Sequence, residues 1–340
     1  MTARRRPNIL VLLADELRAD ALGCFGHPVI RTPHLDRLAA GGVRFDQCRI
    51  PQPTCTPCRA SLLGGTFPSA LRSRMVGCRT PDDPRFLPRI LGAAGYRTAS
   101  IGKIHLVPQG DEPEAIEATR RPDGTVDYYG FREVDLVNGH GDHCFGPDYT
   151  SWVQERIRAA ETDPPAHESL CNVPGCYRWP LPPEAHSGTY IADRAVSFLE
   201  DAPGGSAPWF LHCSFPDPHH PFTVPEPYAS LYAPEAMPTP LPPITECVDP
   251  PPVGLDAYRG RPTAFRKPNG QGVDHVIGTP AHPYAEYTAA DWAVVRAVTG
   301  GMVTLLDACV GRVLDALEAT GQAENTLVVF ASDHGDYLGD

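Results

Sequence analysis

The sequence predicts an α/β fold: a mostly parallel central sheet flanked by helices. Three observations lead there. Apolar runs of strand length, residues 8–14 and 326–332 above all, suit strands buried on both faces. Helical patterns alternate with such runs, as in βαβ units. The composition, 42% hydrophobic and 21% charged over 340 residues, is ordinary globular usage with enough chain to bury a core.

After the first strand at 8–14, Thr32 as N-cap and Pro33 in the first turn start a helix. Leu35, Leu38 and Ala39 line its apolar face, and Gly41-Gly42 ends it. Residues 43–49 read as a second strand. A helix opens at 57–63, with proline in its first turn. Residues 86–94 are helical up to Gly95, and 96–101 form a strand. The pattern is helical over 188–200, strand over 209–215, and helical over 288–320. That last stretch is one helix, or two broken at Gly300-Gly301. Residues 326–332 close the pattern as a last buried strand. The chain, 1–340, reads as one domain with proline-rich loop insertions at 163–184 and 216–283. These loops follow strands, and lids facing a substrate or disordered linkers are both open readings. There are 39 prolines in all, and many must lie in ordered loops, since proline fits neither helix interiors nor central strands.

With 29 basic and 41 acidic residues, the net charge is −12, which argues against broad nucleic-acid binding. A local cationic pocket for an anion is still compatible with it. The apolar run after Arg4-Arg5-Arg6 is too short for a signal peptide, and no stretch is expected to span a bilayer. A cytoplasmic location is the expectation, with no membrane partner. The 11 cysteines are scattered, as in a reduced protein whose thiols stay free.

Asp15-Glu16 directly follows the first strand, and Asp333-His334-Gly335-Asp336 the last one. Ligands of open α/β sheets bind beyond the carboxyl ends of strands, so these side chains can converge there on one divalent cation. Oxygen donors suit Ca²⁺, Mg²⁺ or Mn²⁺, and a histidine tilts the choice toward Mn²⁺.

The stretch Cys55-Thr56-Pro57-Cys58-Arg59 resembles the signature of the sulfatase family, of the alkaline-phosphatase-like superfamily: Cys or Ser, any residue, Pro, any residue, Arg. Cys55, Pro57 and Arg59 match it; read from Cys58 the pattern fails. The resemblance runs in order along the chain. Arg6-Pro7-Asn8-Ile9-Leu10 with Asp15, Leu22-Gly23-Cys24-Phe25-Gly26 and Thr32-Pro33-His34-Leu35-Asp36 look like the family's opening. Gly102-Lys103-Ile104-His105-Leu106, Pro218-His219-His220-Pro221 and Ser332-Asp333-His334-Gly335 resemble its later motifs.

The resemblance implies a sulfuric ester hydrolase. A formylglycine-generating enzyme, as maturation partner, would oxidise Cys55 to formylglycine. One hydroxyl of the hydrated aldehyde would attack the sulfur of a small-molecule sulfate ester. Asp15, Glu16, Cys55, Asp333 and His334 would hold one divalent metal, Ca²⁺ first and Mn²⁺ as the alternative. Arg59 would orient the diol, and Lys103 would bind sulfate oxygens. His105, expected on the same side of an extended segment, would take the diol proton. His219 would stand at the leaving-group oxygen. His220 is expected to point elsewhere. His140 and His143 lack the partners of a zinc site, and their loop is a candidate pocket wall. Cys24, Cys48, Cys78, Cys171 and Cys176 read as packed thiols.

The chain departs from the pattern in three places. Glu16 stands where many relatives carry a second aspartate. His334 replaces the asparagine of some members. The family's further sulfate-binding lysine, last strands and C-terminal subdomain do not occur before Asp340, so an N-terminal part of a longer enzyme is the expectation. The alternatives are a phosphonate monoester or phosphodiester hydrolase of the same superfamily and an inactive anion-binding fragment. Lys103 and His105 favour the sulfatase.

Overall fold

The computed structural model describes residues 5–159, 168–171, 175–202, 207–241, 263–266, 273–277 and 287–340. Much of the two expected proline-rich insertions, including 163–167, 172–174, 242–262, 267–272 and 278–283, lies outside the described residues.

The strands are β1 (Asn8–Ala14), β2 (Arg97–Gly102), β3 (Glu133–Leu136), β4 (Glu168–Ser169), β5 (Cys176–Trp179), β6 (Trp209–Ser214), β7 (Phe222–Pro225), β8 (Thr263–Arg266), β9 (Val273–Ile277) and β10 (Thr326–Ser332). The helices are α1 (Pro33–Ala40), α2 (Cys55–Gly64), α3 (Leu87–Ala93), α4 (Glu112–Glu117), α5 (Pro147–Ala159), α6 (Ser187–Asp201) and α7 (Ala289–Ala319). The main sheet has five strands in the order β10-β1-β6-β2-β3, and all its pairings are parallel. Its faces alternate with the two-residue period of strands. Leu10, Leu12, Leu211 and Cys213 join a core with α6 and α7, while Phe210 joins Ala60, Leu63, Phe86 and Phe131 in a second core. This is the predicted α/β architecture, with every strand's carboxyl end on one sheet edge.

Four expectations change. Residues 43–49 are irregular; Val43 and Phe45 are 79% and 73% exposed, and Arg44 turns to Asp46 at 2.7 Å instead of joining a ladder. The alternating side chains there find no neighbouring strand. Strand β10 is not fully buried: among the described residues it pairs with β1 alone, leaving Leu327 55% exposed. Helix α7 runs unbroken over 31 residues, the first of the two open readings. Its glycines serve close packing: a Cβ on Gly301 would lie 2.2 Å from the Tyr228 carbonyl oxygen. Helix α7 is also long and apolar enough to cross a membrane, contrary to expectation, yet 78% of its most apolar window is buried. It packs on α6, β7 and α1. Finally, Thr32 does not cap α1 with its side chain, which donates to Asp36 at 3.0 Å. The orphan amides of His34 and Leu35 donate to Asp307 of α7, at 3.2 and 2.8 Å.

Strand β3 gave little hydrophobic signal because two of its four positions are charged. Glu133 meets Arg97 at 2.6 Å, and Asp135 accepts from Tyr190 Oη at 2.7 Å.

Candidate functional site

Four carboxyl ends of the main sheet deliver the site. Asp15 follows β1, Lys103 follows β2, His140 lies just past β3, and Asp333-His334 follows β10. Helix α2 places Cys55 at its first position and Arg59 one turn on. At the end of β2, Gly102 has φ +95°, and a Cβ there would sit 1.9 Å from the Ser214 carbonyl oxygen. Only glycine permits that approach, and the next amide, of Lys103, donates to the same oxygen at 3.0 Å.

Asp15, Cys55, Asp333 and His334 are all buried, and their ligand atoms lie within 4.8 Å of one another. Cys55 Sγ is 3.3 Å from His334 Nε2, 3.7 Å from Asp15 Oδ1 and 3.8 Å from Lys103 Nζ. Arg59 backs this cluster. Its Nε donates to Asp333 Oδ2 at 2.8 Å, its Nη1 to the Lys103 carbonyl and Ser214 Oγ at 2.9 Å each, and its Nη2 lies 3.5 Å from Asp15. Cys58 Sγ donates to the Asp333 carbonyl at 2.6 Å, so the second cysteine is a packed thiol.

Charge decides the protonation states. Burial works to raise the Asp15 carboxyl, but Lys103 and Arg59 outweigh it and hold it well below the usual range. Burial and the nearby Asp15 push Asp333 up, against the pull of Arg59. Burial also raises the Cys55 thiol well above its ordinary value, with Lys103 only partly opposing. Two buried carboxylates and an imidazole, one carboxyl raised by its neighbour's charge, form a donor set that fits a hard divalent cation. Arg59 Nη2 and His105 Nδ1 are buried polar atoms without hydrogen-bond partners, an uncommon state in protein interiors and one that suits a further polar ligand.

Glu16 stands apart from that cluster. Its backbone is left-handed, φ +64°, and its amide donates to Asp333 Oδ1 at 3.1 Å. Its carboxylate lies 3.2 Å from His219 Nε2 and 3.2 Å from His220 Nδ1. His220 therefore does not point elsewhere. The segment is a turn in which the His219 amide donates to Pro216, and the two rings stack at 4.2 Å.

Lys103 Nζ is buried against Asp15 and lies 2.6 Å from His140 Nε2. That nitrogen must accept from the ammonium, so His140 is neutral; burial and Lys103 depress its pKa to about 3. Its ring stacks flat on His219, centroids 3.4 Å apart and planes at 4°. His219 has acceptors at both nitrogens, the His220 carbonyl and Glu16, while burial and the neighbouring imidazoles work against its protonation. His105 is buried but left-handed, φ +58°, so the expected extended geometry does not hold there. Burial, then Lys103 and Arg59, keep its ring neutral.

His140 thus joins the candidate pocket, while His143 is 80% exposed, so the pair forms no zinc site. The sequence signal for His140 was only its place after a strand end, and that strand was not foreseen. Glu112, described below, gave no signal. Ten cysteines fall among the described residues, and Cys48 is exposed rather than packed.

Residues 7–340 match the family described as Sulfatase. The chain is 33% identical over 358 residues to the multifunctional alkaline phosphatase superfamily protein PehA of Trinickia caryophylli. It is 28% identical over 338 residues to an arylsulfatase of Clostridium perfringens. Each match covers 98% of this chain and 64% of the relative, so the chain spans less than two thirds of their length. The phosphonate monoester hydrolase of Silicibacter pomeroyi superposes with a TM-score of 0.73 at 25% identity, covering 98% of this chain and 64% of that one. The family match over nearly the whole chain and the 33% identity to PehA show that the chain belongs to the sulfatase family, within the alkaline-phosphatase-like superfamily.

Proposed function

We propose that this protein hydrolyses sulfate monoesters of small molecules, with Cys55 converted to formylglycine and one divalent cation held by Asp15, Cys55, Asp333 and His334. The observation that carries the reading is the setting of Cys55. Its thiol is buried and hard to ionise, which disfavours a thiolate nucleophile, yet it faces Asp15, Lys103 and His334. A hydrated aldehyde would supply a hydroxyl for attack on sulfur and would be regenerated at the end of each turnover. The cation, Ca²⁺ or Mn²⁺, would supply Lewis acidity and lower the hydroxyl's pKa.

The chain's own groups divide the remaining work. Lys103 and the neutral His140 would hold the sulfate oxygens, and Arg59 would orient the group at position 55. His105, neutral with a free Nδ1, is suited to take the proton released with sulfate. His219 would stand beside the leaving oxygen as a neutral ring, oriented by the Glu16 carboxylate at its Nε2. Glu16 would serve the cation only after its carboxylate leaves the two histidines. A maturation enzyme belongs to this reading, and the scattered cysteines of the sequence support a reducing, cytoplasmic setting.

The similarity to PehA and to a phosphonate monoester hydrolase favours one second reading, hydrolysis of phosphonate monoesters or phosphodiesters. The family match favours sulfate, whereas the buried ammonium of Lys103 suits the tetrahedral anion of either ester. Turnover of an aryl sulfate compared with the matching aryl phosphonate decides between them. The expected result is a preference for sulfate; a large preference for phosphonate reverses the assignment.

A further inference from the structure

A carboxylate outside the site just described is completely buried and has no cationic partner. Glu112 opens α4 and accepts four hydrogen bonds from neutral donors. The amides of His105 and Leu106 donate at 3.1 and 3.2 Å, Tyr128 Oη at 2.7 Å and Asn138 Nδ2 at 2.7 Å. Among the described residues no lysine or arginine pairs with it. Burying an unpaired carboxylate is unfavourable, and its pKa is pushed up to about 7 by that burial. A neutral core residue would avoid the penalty, so the four bonds need another rationale.

Their destinations supply one. Two bonds hold the backbone just beyond Lys103. A third holds Asn138, two residues before His140, whose own amide and carbonyl are fixed by Phe145 at 2.7 and 2.8 Å. Lys103 and His140 then meet at 2.6 Å. They come from separate strands, β2 and β3, and each leaves its strand on an irregular segment. One acceptor-only group spans both segments. A glutamine in its place would turn an amide donor toward a set of donors.

We propose that Glu112 is a positioning residue: its carboxylate sets the register between the Lys103–His105 arm and the His140 arm of the anion site. The proposal rests on the hydrolase reading for its link to turnover, not for its geometry. The Tyr128 hydroxyl donates to Glu112 and, among the described residues, hydrogen-bonds neither arm, so its removal serves as the control.

The test compares wild type with Glu112→Gln, Asn138→Ala and Tyr128→Phe. It measures aryl sulfate turnover per folded molecule, affinity for inorganic sulfate, and amide exchange at His105 and Leu106. Glu112→Gln is expected to lower kcat by about tenfold or more and to speed both amides by a similar factor, with β1 amides unchanged. Asn138→Ala should lower kcat by several-fold and weaken sulfate binding without speeding those amides, whereas Tyr128→Phe should change kcat by less than about threefold. Wild-type kcat and sulfate affinity in folded Glu112→Gln and Asn138→Ala would overturn the proposal. So would unchanged exchange at the two amides in Glu112→Gln. Wild type without turnover on any ester would instead sink the hydrolase reading, and sulfate affinity and exchange would then decide on Glu112. If Glu112→Gln does not fold, Asn138→Ala against Tyr128→Phe decides in the same way.

Discussion

The two halves of the site are built in different ways. One half, Asp15, Cys55, Asp333 and His334 around Arg59, sits on the ends of β1, β10 and α2, and its charges neutralise one another directly. The other half, Lys103, His105, His140, His219 and His220, hangs on irregular segments. Three of its imidazoles stack, most are kept neutral by burial, and its framework depends on a carboxylate with no ion-pair partner among the described residues. The first half is suited to hold a nucleophile and a cation. The second is suited to receive a tetrahedral anion and handle protons. Rigid elements give the first its precision; hydrogen bonds to backbone give the second its own.

The contrast can be broken first at the nucleophile. Cys55→Ala should abolish turnover, by at least about 1,000-fold, with the fold kept because only one sulfur atom is removed. Turnover near wild type would remove Cys55 from the chemistry.

The next largest effect lies in the other half and is read as stability against pH. The folded pKa of Glu112 is raised above the ordinary 4.5 to about 7. A raised carboxyl contributes stability that is complete below the unfolded pKa and is lost as pH rises through the folded one. Wild type should therefore lose up to about 3 kcal/mol relative to Glu112→Gln between pH 4.5 and about 8, measured by denaturant unfolding. A pH-independent difference would show that the carboxylate is compensated.

Removing divalent cations sharpens the comparison from the first half. Chelation should lower stability by about 2.7 kcal/mol if the cation was present at a hundred times its Kd. Asp333→Asn should abolish that response and His143→Ala should keep it. The smallest expected effect is His140→Ala, about tenfold in kcat/KM, with the exposed His143→Ala within about twofold of wild type. Equal losses at both positions would return His140 to the surface loop.

The first half was legible in the sequence because strands and motif coincide there. Asp15 and Asp333-His334 follow apolar runs that form strands with the expected bounds, and Cys55 and Arg59 sit on one helical turn. The second half was legible only where a motif marked it. Lys103, His105 and His219 were foreseen, and the His140 loop only as a candidate pocket wall, because two of the four positions of β3 are charged and hide its strand character. The orientation of Glu16 and the stacking of His220 depend on a left-handed residue and a turn, which alternation patterns do not encode. Residues 43–49 show the converse. A strand-like pattern stays irregular when no neighbour offers a ladder.

The central claim, that Cys55 is the precursor of the nucleophile, is tested most directly by the mass of its peptide. The protein would be purified from a host that supplies a formylglycine-generating enzyme and then digested to the fragment around Cys55-Thr56-Pro57-Cys58-Arg59. The account predicts a peptide in which one sulfur is replaced by oxygen with loss of two hydrogens, mapped by fragmentation to position 55 and not 58. A peptide carrying two intact thiols, from protein that still turns over an aryl sulfate, would contradict it.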